Sequence, residues 1–362
     1  MKNLFYWLTL IAIIVFSFSS CNEDDPDLYP SELVKGAYLI NYGGAYGSGG
    51  ASISRYDYDK NVITNSYFQT QNEGFELLSN IQYAYEYKDS IYLIGNANDQ
   101  IIVTNPLFVQ TKNGITEQIF NPRFCVAEGN YLYVSCWGSD PDYVKMPGSY
   151  IAKLNVNTNV VESIIDLPGG PEGLAIANGK LYAALNYMDS VASISLSDNN
   201  AINYIATPTI SSYFVKDENE NLYVTLVSYF DYSNTGLGFI NTSTDVLEEN
   251  FKMEGVSTNY ASVVNFNNDY SKIYLLTSQY DEYWNLSGAI KIFDVAAGTY
   301  SDFITGISGP SGISINPNDD KIYLFTYENL TESGEMKIYN EDGTLEHELA
   351  TGISPLMAIY LE

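Results

Sequence analysis

Residues 173–196, GLAIANGKLYAALNYMDSVASISL, carry three short runs in which apolar and polar positions alternate. The first run stops at Asn178-Gly179, the second passes through Leu181-Tyr182-Ala183-Ala184, and the third begins at Val191 after a break at residues 186–189. Alternation with period two sends successive side chains to opposite faces of a strand. Asn-Gly is the pair that a tight type I′ hairpin favours, because both central residues need positive φ. The stretch therefore predicts a three-stranded meander, and residues 202–206 supply a fourth strand.

The second strand of this unit recurs as an aliphatic-Tyr-aliphatic core around Tyr38, Tyr92, Tyr133, Tyr182, Tyr223, Tyr274 and Tyr323. Successive tyrosines are 54, 41, 49, 41, 51 and 49 residues apart, a period that suits propeller blades. A four-stranded sheet cannot bury both faces alone, so the copies must stack on one another. The pattern predicts an all-β chain, a seven-bladed β-propeller with four antiparallel strands, A to D, in each blade. The chain enters at a B strand, residues 36–41, followed by C at 51–58 and D at 62–68. The first A-type strand comes only at 81–87. Residues 353–361 have A character with nothing after them to pair, so they are expected to close the ring beside residues 37–41.

The connections fall into two classes. Links from A to B and from C to D are short turns, such as Lys88-Asp89, Gly129-Asn130, Asn178-Gly179 and Glu341-Asp342-Gly343. Links from B to C, at residues 42–50, 137–148, 186–190, 228–236, 278–288 and 327–334, are longer, irregular and rich in aromatics. Antiparallel meandering puts these at one end of the blades together with the D-to-A links. Elaborated loops on a rigid scaffold are where binding usually sits.

The first residues change the picture of where the chain resides. Lys2, the apolar segment 4–18 and Ser19-Ser20-Cys21 read as a signal peptide over residues 1–20, too short for a convincing membrane span. The pattern resembles a bacterial lipobox, with lipidation expected at Cys21, although Phe18 stands where Leu is usual. Cleavage by ordinary signal peptidase, leaving Cys21 as a thiol, is the alternative. The acidic run that follows makes residues 21–35 a solvated tether, which leaves residues 36–362 as one propeller domain. A formal charge of −28, from 44 acidic and 16 basic residues, excludes nucleic acid and anionic membrane surfaces as partners, since both need clustered Lys and Arg.

Candidate chemistry gathers in the elaborated loops. Trp137, Tyr143, Tyr187, Tyr229, Tyr280, Trp284 and Tyr327 could stack on a flat or amphipathic ligand, or simply pack the loops onto the blade ends. Arg123, in Asn121-Pro122-Arg123-Phe124, falls at the channel mouth, where its fork of donors would orient carbonyl or phosphate oxygens or else form a salt bridge. Substitution of Trp137, Tyr187, Tyr229, Trp284 or Arg123 is expected not to unfold the protein, because strand pairing and the repeated tyrosines hold the blades. His347, the single histidine, sits in an outer strand without a second imidazole, so neither a zinc cluster nor a catalytic triad is expected. The neighbouring acids Asp140 and Asp142, or Asp281 and Glu282, are weak candidates for acid–base work or calcium, and no calcium-loop spacing is present. Cys125 and Cys136 fall diagonally on adjacent strands, wide for a disulfide though export permits one.

Across nearly the whole chain after the tether, the segments Gly36-Ala37-Tyr38-Leu39-Ile40-Asn41, Ala51-Ser52-Ile53-Ser54-Arg55-Tyr56-Asp57 and Gly170-Pro171-Glu172-Gly173-Leu174-Ala175 resemble the YncE-like seven-bladed propeller lipoproteins of Bacteroidetes. Within that group the chain is similar to BtuG-type surface proteins. The resemblance implies a lipid-anchored protein on the outer-membrane surface, not an enzyme and without a cofactor. It would capture a corrinoid of the vitamin B12 type and hand it to a TonB-dependent outer-membrane transporter. Such members often read Asn-Glu-Gly after the first strand, where this chain has Asn41-Tyr42-Gly43, so an acidic contact is lost. A surface glycan-binding propeller is the alternative, because Tyr and Trp platforms beside Asn and Asp suit sugar rings equally well.

Overall fold

The computed structural model describes residues 35–77, 80–228, 233–253 and 264–361, so the signal segment, Cys21 and Tyr229 lie outside the described residues. Seven antiparallel sheets follow one another along the chain. Their inner strands are Pro355–Leu361 for blade 1, then Ile81–Tyr87, Pro122–Glu128, Pro171–Ala177, Ile210–Lys216, Val264–Phe266 and Pro310–Ile315 for blades 2 to 7. Each inner strand touches the next, and that of blade 7 touches that of blade 1, which makes a closed ring. The C-terminal strand pairs antiparallel with Gly36–Asn41 as expected, joining both ends of the chain in blade 1.

The repeated tyrosine motif is explained by burial on both faces of each blade. In blade 4, Leu181, Ala183 and Leu185 pack towards Tyr133 and Ile151 of blade 3. Tyr182 and Ala184 point the other way, towards Leu222, Val224 and Leu226 of blade 5. A propeller strand between two neighbours therefore needs apolar residues in sequence, with tyrosine where a polar tip can reach across. The Tyr182 hydroxyl donates to Asp245 Oδ1 at 2.6 Å and to the Thr242 carbonyl at 3.1 Å, both in blade 5. The expected hairpin at Asn178-Gly179 is present, with φ of 46° and 70° between the paired Ala177 and Lys180.

Two expected strands differ. The D strand of blade 1 is Val62–Thr64 only, and Tyr67–Gln71 forms one helical turn instead, because Ser66 takes a left-handed φ of 57° that stops the extended run. Blade 2 has three strands, and its outer edge is met only by isolated bridges from Gln110 and Ile115. Pro106 cannot donate to a ladder, and Asn105 Oδ1 accepts from the amides of Leu107 and Val109 to make a turn there. Phe108 is thereby delivered to the core, stacked on Tyr38 with ring centroids 5.1 Å apart.

Candidate functional site

The inner strands enter the channel through a recurring irregularity. In six of the seven blades the pairing of strand A with strand B slips near its start, at Gln82, Arg123, Glu172, Ser212, Ser311 and Leu356. A bulge bends the strand and re-aims the extra side chain. Four of the six follow the proline that opens the strand, in Pro122-Arg123, Pro171-Glu172, Pro310-Ser311 and Pro355-Leu356. Proline fits a first strand position because no ladder donor is required there. Below this level Tyr83 stacks on Phe124 at 3.8 Å, and Phe124 meets Tyr213 at 6.1 Å. These aromatics cross the channel beneath the mouth. Gly173 makes room for them, since a Cβ there would lie 2.8 Å from the Tyr213 Cα.

Arg123 is at the centre of the mouth, and its fork is already engaged. Nε donates to Glu172 Oε2 and Nη2 to Glu172 Oε1, each at 2.9 Å, from the neighbouring bulge. The Tyr213 hydroxyl donates to the same Oε1 at 2.9 Å. Burial works against the guanidinium charge, but the Glu172 carboxylate outweighs it and holds Arg123 protonated well above its ordinary range. The guanidinium also lies over the Trp137 ring at 4.1 Å, and the indole Nε1 donates to the Pro171 carbonyl at 3.1 Å. Of the two roles open to Arg123 from the sequence, the salt bridge is the one present, and only the Nη1 edge stays outside the pair.

Above this pair is a cavity of about 320 Å³ whose lining includes Tyr42, Tyr46, Gln82, Asn96, Arg123, Tyr327 and Leu356. Asn96 Nδ2 donates to Gln82 Oε1 at 3.1 Å, and the Tyr46 hydroxyl to Asn121 Oδ1 at 2.8 Å. Burial raises the Tyr42 hydroxyl above its ordinary range against the pull of Arg123, so it stays a neutral donor. The loop carrying Tyr42 and Tyr46 is folded around fully buried Asn80, whose Nδ2 donates to the Gly44 carbonyl at 3.0 Å and whose Oδ1 accepts from the Gly47 amide at 2.8 Å. Gly43, at φ 101°, has the Ala51 amide and the Gly49 carbonyl where a Cβ would stand, so no other residue fits that turn. Tyr42 and Tyr46 are not among the aromatics singled out from the sequence, although the loop that carries them, residues 42–50, is one of the elaborated B-to-C links.

The remaining predicted aromatics divide into groups. Trp137 meets Tyr143 at 6.3 Å and Tyr187 at 5.5 Å, both edge to face, which makes one cluster beside Arg123. Tyr327 joins from the other side as part of the cavity wall. Tyr280 and Trp284 form a separate pair, 5.8 Å apart, on the hairpin between Lys272–Tyr280 and Leu286–Asp294, and neither lines the cavity. That hairpin is longer than its counterparts and leaves Trp284 80% exposed.

Of the four candidate loop acids, Asp142 and Asp281 hold their own turns. Asp142 Oδ1 accepts from the amides of Val144, Lys145 and Met146, and these bonds hold its carboxyl below the usual range. Asp281 accepts from Asn285, side chain and amide, and from the Tyr283 amide, with the same effect. Among the described residues no group of three or more His, Cys, Asp or Glu is placed to hold a metal ion. Cys125 pairs with Val134 and Cys136 with Pro122, and both thiols are free and buried.

Among solved structures, a quinonprotein alcohol dehydrogenase-like protein from Bacteroides thetaiotaomicron is similar at a TM-score of 0.68 and 16% identity, over 91% of this chain and 78% of that one. A putative 6-phosphogluconolactonase from Bacteroides fragilis gives 0.65 and 11%, over 92% and 100%, and one from Bacteroides uniformis gives 0.63 and 13%, over 91% and 100%. At such identities the likeness shows the propeller fold alone. No curated protein matches the chain. The family described as "Domain of unknown function (DUF5074)" matches residues 35–341, and the chain belongs to that family.

Proposed function

We propose that this propeller is a non-enzymatic capture protein that holds a corrinoid over the mouth of its channel. It is tethered to the outer-membrane surface through lipid on Cys21 and passes its ligand to a TonB-dependent transporter. The observation that carries the reading is the mouth itself. An open cup of neutral hydroxyls and amides is set around the Arg123–Glu172 pair, with the Trp137, Tyr143 and Tyr187 cluster at its rim. A corrinoid is larger than the cup, so one edge enters and the flat macrocycle rests on the aromatic rim. Its peripheral amides then meet Tyr42, Gln82, Asn96 and Tyr327. Asp142 and Asp281, folded into their own turns, support a binding role over acid–base chemistry.

The deciding experiment mixes purified protein with cobalamin and passes the mixture through a desalting column. Red chromophore should travel with the protein, and a colourless protein fraction at micromolar concentrations argues against a corrinoid. A second reading, glycan binding, is favoured by the exposed Tyr280–Trp284 pair, which offers ring faces away from the cup. Glycan-array signal that vanishes in Trp284→Ala, without cobalamin retention, would establish that reading instead.

A further inference from the structure

We infer that Glu172 makes the channel mouth select uncharged, oxygen-rich ligands and closes it to anions, an inference that rests on the mouth being the ligand face. Without Glu172, the mouth would be an anion site. A planar guanidinium at the floor of an open cup, ringed by hydroxyls and amides, is suited to a two-point contact with carboxylate or phosphate. Glu172 occupies both points from within the protein. Its side chain is 1% exposed, it takes Nε and Nη2 of Arg123, and it is held by the Tyr213 hydroxyl. The pair carries no net charge, and among the described residues lining the cup Arg123 is the only charged side chain. What faces a ligand is the Nη1 edge with Tyr42, Tyr327, Gln82 and Asn96, all able to serve carbonyl, amide or hydroxyl groups. The formal charge of −28 repels anions at longer range as well. The ligand class that remains is neutral and rich in amides or hydroxyls, which covers corrinoid side chains and sugars and leaves out free carboxylates.

Trp137, stacked on the Arg123 guanidinium, is a built-in reporter for this centre. The chain has three tryptophans, so Trp7→Phe and Trp284→Phe leave Trp137 as the sole indole. In that background inorganic phosphate is titrated against the parent, Glu172→Gln and the double variant Arg123→Gln/Glu172→Gln. Glutamine keeps an acceptor for Arg123 and Tyr213 but drops the charge. The expected result is a saturable change in Trp137 emission for Glu172→Gln, at phosphate concentrations at least about tenfold below any change in the parent, and none in the double variant. Saturable phosphate binding by the parent, equal binding by the double variant, or no binding by a folded Glu172→Gln protein overturns the proposal.

An unpaired buried arginine destabilises, so Glu172→Gln can fail to fold. In that case the variant is refolded with and without phosphate. Recovery that depends on the anion is the positive result, and equal failure in both overturns the proposal. Cobalamin retention, run alongside on the parent, separates the two ideas. Its loss sinks the corrinoid reading, while the phosphate titration still decides the part played by Glu172.

Discussion

Arg123→Ala should destabilise the propeller measurably without unfolding it. The substitution strands Glu172, 1% exposed, with the Tyr213 hydroxyl as its remaining listener in place of a two-point guanidinium contact. Removing one partner of a buried ion pair costs about 3–5 kcal/mol, because the surviving charge stays desolvated. The Trp137 face also loses its cation, worth about 0.5–1 kcal/mol at a partly exposed site. Arg123 itself retains 17% exposure, so water reaches the gap and screens the stranded charge, which discounts that sum to about 2–4 kcal/mol in all. For a domain of this size about 2 °C is expected per kcal/mol, hence a melting point lower by roughly 4–8 °C. Thermal and urea unfolding at pH 7 would measure it, with Arg123→Ala/Glu172→Ala completing a double-mutant cycle. The double variant removes both charges and should be more stable than Arg123→Ala alone. A single variant within about 0.5 kcal/mol of the parent, or costs that simply add in the double, would refute the idea that the pair is one desolvated unit.

Three other outcomes follow from the geometry. Gly173→Val should fail to fold or melt far below the parent, because its Cβ position is 2.8 Å from the Tyr213 Cα and 2.5 Å from the Ser212 carbonyl; circular dichroism of the purified variant checks this. Cys125 and Cys136 should resist a thiol reagent in the native protein at pH 8 and react fully in urea, since burial pushes Cys136 up to about 12 and Cys125 well above its ordinary value; native reaction of either thiol would contradict the packing. Asp245→Asn should cost about 1–3 kcal/mol at pH 7 by weakening the clasp that Lys180, Tyr182 and Ser193 of blade 4 make on blade 5. Burial alone would raise the Asp245 carboxyl, but those hydrogen bonds and the Lys180 charge outweigh it and hold it low. The stabilisation is therefore complete above the unfolded carboxyl value near about 4 and is lost as pH falls through the lower folded value, so the gap between parent and variant should close in that acid range.

The architecture was legible because it rests on local rules repeated seven times. Alternation, the tyrosine period and the Asn-Gly turn each report backbone geometry within a few residues, and the closure by residues 353–361 follows from an unpaired inner strand at one end and a missing one at the other. The departures came where a single residue interrupts the repeat. Pro106 and Ser66 end strands that the surrounding pattern would continue, and periodicity averages over such breaks.

The mouth was legible only in part, because its chemistry is set by residues far apart in sequence. Arg123 could be placed at the channel from its position before an inner strand, yet its partner Glu172 lies 49 residues on, in the next blade. The two meet because each occupies the bulge after an opening proline, in Asn121-Pro122-Arg123 and Gly170-Pro171-Glu172. Lining up those prolines across blades is the signal that would have paired them. The aromatic loops needed the same correction. Trp137 and Trp284 follow their blade tyrosines at Tyr133 and Tyr274 by 4 and 10 residues. The nearer position is fixed at the end of strand B and faces the mouth, as Tyr42, Asn96 and Tyr327 do four residues after their own tyrosines. The farther one rides out on the long hairpin away from the cup. Distance from the repeated tyrosine, rather than aromatic character, decides which loop residues meet at the centre.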